Sequence, residues 1–143
     1  MSLKQLTVFV ENKQGKLMEI TGVLAENDIN IRALSIADTQ DFGILRLIVT
    51  DYDKAEKTLM DAGFLVKSTS VVGVKIGDAP GKLSTALGVL DSNDINMEYL
   101  YAFMSRTEKH AYVVLRVADN DKAEKALEDA GFHLISDADV CKL

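Results

Sequence analysis

Residues 6–10, LTVFV, alternate in polarity and favour β-branched and aromatic types, the pattern of a half-buried strand. After a polar turn at 12–15 the spacing becomes helical, with Leu17, Ile20 and Leu24 at i, i+3 and i+7. Asn27 and Asp28 break that helix, and two strands are predicted next, over 30–38 and 44–50. Asp53, with Glu56 three residues on, predicts the capped start of a second helix. Gly63 predicts its end, in the left-handed conformation that glycine tolerates cheaply. A fourth strand starts at Phe64.

The same pattern then recurs. KAEKTLMDAGF at 54–64 returns as KAEKALEDAGF at 122–132, GKL at 15–17 as GKL at 81–83, and NDIN at 27–30 as NDIN at 93–96. The early matches are offset by 66 residues (15 to 81) and the late one by 68 (54 to 122), so the second copy carries a two-residue insertion. Leu83, Ala86, Leu87 and Leu90 repeat the helical stripe, and strands are predicted over 96–104 and 112–118. The insertion falls between the second and third strands, where it only lengthens a hairpin loop. Asp121, Glu124, Gly131 and Phe132 repeat the second helix and the fourth strand. The chain is two copies of one unit, 1–70 and 71–143.

The order βαββαβ, twice, predicts an α+β fold of two ferredoxin-like units, each an antiparallel sheet with both helices on one face. A core in a unit of about 70 residues is marginal, so the units are expected to pack side by side across a short join near Ser70–Val71. Leu47, Leu115, Val49 and Val117 are identical between copies and should face the helices. Ile44, Arg46, Ile48, Tyr112, Val114 and Arg116 should face away, with Met97, Tyr99, Tyr101 and Phe103 beside them. So apolar a second face predicts self-association, as a homodimer.

Charge and composition then narrow the function. A net charge of −6 and a pI near 4.9 argue against nucleic acid, whose binding relies on Lys and Arg at phosphates. The aromatics also cluster on the second strand of the unit rather than on the first and third, where base-stacking sheets of this order carry them. A lone cysteine, Cys141, excludes an internal disulfide. No apolar run is long enough to span a bilayer, and no signal-peptide pattern is present, so a cytoplasmic location is expected. His110 and His133 align with Phe42 and Leu65, so neither is a repeated ligand, and no CxxC, HxxxH or nucleophile–base pair stands at useful spacing. No catalytic residue, metal or cofactor is expected.

The turn before the first helix of each copy is the candidate site. It reads VENKQGKL at 10–17 and IGDAPGKL at 76–83. Glycine lets a ligand approach the backbone, and the helix start behind it offers unpaired N–H groups suited to a carboxylate. Equally, Asn12 and Asp78 could simply cap their helices. These turns, the INI-like step into the second strand and the duplication resemble ACT domains, small amino-acid-sensing modules found on many biosynthetic enzymes. The resemblance covers nearly the whole chain. It implies a regulatory protein without catalytic activity that binds a free amino acid and acts through a partner enzyme or its own oligomer. In the first copy it assigns the ligand turn to Asn12, Lys13, Gln14, Gly15, Lys16 and Leu17, with Gln14 where the family often has proline. In the second it assigns Asp78, Ala79, Pro80, Gly81, Lys82 and Leu83, with Asp78 in place of asparagine. Asn30 and Asn96 match the family's strand-two asparagine, and Tyr99 and Tyr101 would lie near a pairing edge. A small enzyme on the same scaffold and a ligand-free interaction module are the alternatives.

Overall fold

The computed structural model describes residues 3–38, 41–104 and 109–143. Its elements are β1 (Leu3–Glu11), α1 (Lys16–Glu26), β2 (Ile31–Asp38), β3 (Phe42–Val49), α2 (Tyr52–Asp61) and β4 (Leu65–Gly77). They continue as α3 (Lys82–Ser92), β5 (Met97–Ala102), β6 (His110–Val117), α4 (Asn120–Asp129), β7 (His133–Ile135) and α5 (Asp137–Val140). The chain forms two compact units, one of residues 4–69, the other of residues 70–143 with Leu3. The strand β4 runs from the first into the second.

In the first unit the strand order is β2-β3-β1-β4, with β3 antiparallel to both β1 and β2. Alternation along β1 and β3 sends Leu6, Val8, Val10, Leu45, Leu47 and Val49 to one face, where Ile20, Leu24, Ala55 and Leu59 of the helices close the core. In the second unit β4 lies between β6 and β7, with β5 at the far edge. Val72, Val74, Ile76, Leu115 and Val117 meet Ala86, Leu90, Ala123 and Leu127 there, the same construction at the repeated positions. Both units are thus α+β, of the βαββαβ type.

Helix α2 begins earlier than its charge pattern suggests. Asp51, not Asp53, is the N-cap; its carboxylate accepts from the Lys54 N–H at 3.2 Å, and Asp119 does the same for Lys122 at 3.1 Å. Asp53 and Asp121 sit two residues on, in the first turn, where they still favour the positive end of the helix. The reason is backbone shape: Asp51 and Asp119 are extended, as an N-cap must be. Asp51→Ala should cost about 1 kcal/mol in urea unfolding, and Asp53→Ala less than half of that. The far ends are as expected: Gly63 and Gly131 adopt φ of 92° and 91°, and the Phe64 and Phe132 N–H groups reach back to Leu59 and Leu127.

Two expectations about the second sheet face change. Met97 faces the helices, because a register shift between Met97 and Tyr99 reverses the alternation; Tyr99, Tyr101 and Phe103 keep the outward phase. The face is also not bare. Ile48, Tyr101, Phe103, Tyr112 and Val114 are all buried within the single chain, and Ile44 and Tyr99 are half-buried. In the second unit part of the cover is the C-terminal segment: Asp139, Lys142 and Leu143 enclose a cavity of about 140 Å³ with Lys75, Tyr112 and Ile135. Phe103 meets Tyr112 edge to face at 6.2 Å. Ser136 and Asp139 close a reciprocal capping box on α5, and those hydrogen bonds hold the Asp139 carboxyl below its ordinary range. The two-residue insertion predicted between the second and third strands falls around 105–108, outside the described residues.

Candidate functional site

Both repeated turns end in glycine at the N-cap of a helix: Gly15 has φ 86° and Gly81 φ 89°. A side chain there would cost roughly 1–2 kcal/mol, which explains the repeat of this glycine. Neither helix has a side-chain cap. Asn12 and Asp78 therefore do not cap α1 and α3, and among the described residues neither side chain has a hydrogen-bond partner.

The backbone closes the turn only partly. The Lys16 N–H donates to the Lys13 carbonyl at 3.3 Å, and the Glu19 N–H to the Gly15 carbonyl at 3.0 Å. Between them, the N–H groups of Leu17 and Met18 have no acceptor among the described residues. The second copy repeats this, with Lys82 on Ala79, Thr85 on Gly81, and Leu83 and Ser84 open.

Beside the first turn lies a groove of about 300 Å³. It brings Asn12, Lys13, Lys16 and Leu17 together with Val10, Ile36 and Gly43. Leu17 is 38 % exposed, though it lies on the apolar stripe of α1, because it faces this groove rather than the core. Glu11 stands at the rim, 2.9 Å from the Lys13 ammonium. That hydrogen bond, then the charges of Lys13 and Lys16, lower the Glu11 pKa. The Glu11–Lys13 pair is thus present above the ordinary carboxylate range and is lost as pH falls through the depressed value.

Gln14 and Gly15 shape the turn without lining the groove. Asn30 is exposed at the other end of the unit: it precedes β2 where its backbone pairs with Thr50, whereas Asn12 lies by Asp41. The eight residues of β3 separate the two ends by about 25 Å, so Asn12 and Asn30 of one unit do not share a ligand. Asn96 holds the equivalent exposed place before β5. Sequence reasoning missed Val10, Ile36 and Gly43. A signal existed for one: Gly43 is replaced in the second copy by Ala111, so this glycine, unlike those of the turns and helix ends, is not repeated.

The second turn differs. Leu83 packs against its core, and Asp78, Ala79, Pro80, Gly81 and Lys82 are exposed. Tyr99 and Tyr101 stack at 6.4 Å on β5, the edge strand of this unit. Among the described residues no group of three His, Cys, Asp or Glu could hold a metal ion, and no helix is long and apolar enough to cross a membrane.

Comparison with known proteins agrees with this geometry. The family model of the ACT domain pair matches residues 1–143. The structure of protein BT0572 from Bacteroides thetaiotaomicron is similar at 43 % identity with a TM-score of 0.93, covering 100 % of this chain and 98 % of that one. The regulatory subunit of aspartate kinase from Thermus thermophilus, ligand free, shares the fold at 15 % identity with a TM-score of 0.65, over 90 % of this chain and 91 % of that one. Its counterpart from Thermus flavus does so at 15 % identity and 0.60, over 89 % and 91 %. No curated protein matches the chain. With a family model spanning the whole of it, the chain belongs to the regulatory family of ACT domain pairs.

Proposed function

We propose that this chain is a non-catalytic, cytoplasmic sensor that binds a free amino acid in the groove beside Asn12 and reports its presence to an enzyme or through a homodimer. The observation that supports this best is the uncommitted polar set at that groove: the Asn12 side chain and the open Leu17 N–H, with the open Met18 N–H one residue further along the helix start, next to apolar Val10, Leu17 and Ile36. A zwitterion needs this combination. The N–H groups and Lys16 suit its carboxylate, the Asn12 carbonyl oxygen its ammonium, and the apolar wall an aliphatic side chain. The groove is small, and Gly43 leaves room on its floor.

Two further features fit. Leu34 and Ile36 are 39 % and 52 % exposed on β2, the edge strand of the first unit, so a second copy pairing there would cover the groove. This edge replaces the sheet face as the expected dimer surface, and light scattering at tens of micromolar should show a dimer. The solved relatives named as regulatory subunits of aspartate kinase make an enzyme partner the natural reading of the alternative route. At the second turn, Asp78 would repel a carboxylate, and Asn30 and Asn96 would take part only from a neighbouring unit.

Isothermal titration with the twenty amino acids, on wild type and Asn12→Ala, tests the reading. Asn12→Ala should weaken binding by roughly 1–3 kcal/mol, because a charged ligand group loses its partner. It should leave the stability of the unliganded protein within about 0.5 kcal/mol, because Asn12 caps nothing. Unchanged affinity with lost stability would return the turn to a structural role.

A further inference from the structure

Two further grooves occupy equivalent places in the two units. In the first it is lined by Phe9, Glu11, Lys16, Glu19, Phe42 and Leu65. At the same positions the second has Lys75, Gly77, Lys82, Thr85, His110 and His133, around a volume of about 490 Å³. Two carboxylates have gone, one lysine is kept, and a lysine and both histidines of the chain have arrived. In a protein of net charge −6 this is a local reversal of sign.

The placement is built into the strands. Lys75 is the direct cross-strand partner of His133 on β7, and Gly77 of His110 on β6. Lys75 and His110 are half-buried. The stem of Lys82 lies across Gly77, where a β-carbon would come within 3.2 Å of it, so the loss of a side chain at 77 lets that ammonium reach the groove. In the first unit the matching Lys16 is held by Glu19 at 3.5 Å; Lys75 and Lys82 have no ion-pair partner among the described residues. Asp139 interacts with His133 from α5, but its carboxylate is engaged by Ser136. The carbonyl end of α4 is partly satisfied by the Gly131 and Phe132 N–H groups.

We infer that this groove binds the phosphate group of a small phosphorylated molecule, a second ligand site independent of the amino-acid groove. Two lysines match the charge of a phosphate monoester, about −1.5 to −2 near neutrality. The imidazoles add N–H donors for its oxygens, and Ile76 and Phe132 give an apolar wall for the organic part.

The two histidines are also the probe. Their imidazole signals, distinguished with His133→Leu, would be followed by NMR while inorganic phosphate, glycerol phosphate or succinate is added at constant ionic strength and pH. Saturable movement of both imidazoles is expected with the two phosphates. Lys75→Gln should weaken it at least about tenfold, the loss of a charge-assisted contact, and His133→Leu, which restores the first-copy residue, should weaken it while His110 still reports. Shifts that never saturate, that chloride reproduces, or that survive Lys75→Gln overturn the site. Saturation by succinate in preference to both phosphates overturns the assignment to phosphate.

Discussion

Filling the groove beside Asn12 with its amino acid is expected to stabilise the folded protein by about 2.7 kcal/mol at roughly 100 times Kd. For a chain of this length that corresponds to a rise in Tm on the order of 5–10 °C. The effect follows from linkage alone, since a ligand that meets Asn12 and the open N–H groups of α1 only in the folded chain binds nothing in the unfolded one. Thermal melts with each of the twenty amino acids at millimolar concentration would show it. A valine at Gly43 should abolish the shift, because branched atoms there would fill the groove floor against Ile36, whose side chain already lies 3.4 Å from the position of a β-carbon. No shift with any amino acid would remove the main support for a sensor.

The second large effect is structural and concerns the helix that presents the site. Leu24 is completely buried on α1 against β1 and β3, and Leu24→Ala should cost about 2–5 kcal/mol in urea unfolding, the sum of lost burial and the cavity left behind. Met18 is 80 % exposed on the same helix, and Met18→Ala should change stability by less than about 0.5 kcal/mol. A small loss at Leu24 would mean that the core collapses to fill the gap, and that α1 does not need that anchor to hold Lys16 and Leu17 at the groove.

Much of the architecture follows from the sequence by itself. The duplicated order of strands and helices, the apolar stripes through Ile20, Leu24, Ala86 and Leu90, the glycine stops at Gly63 and Gly131, and the inward direction of Leu47 and Val49 are local properties. Periods of 2 and 3.6 residues and a positive φ belong to a short segment, and repetition states each of them twice. The glycine turn was legible for the same reason. Whether Asn12 served its own helix was not, because a side chain three residues before a helix either caps it or points elsewhere, and only the position of the N-cap at Gly15 decides. Three-dimensional placement settled the rest. Ile36 and Gly43 reach the groove through strand pairing with no local mark, and one irregular step before Tyr99 turned Met97 inward. Asn12 and Asn30, both polar and both near a helix end, were parted by the length of β3. The apolar second face was read correctly as needing cover, but how much of it one chain buries depends on contacts far apart in sequence, and periodicity carries no information about those.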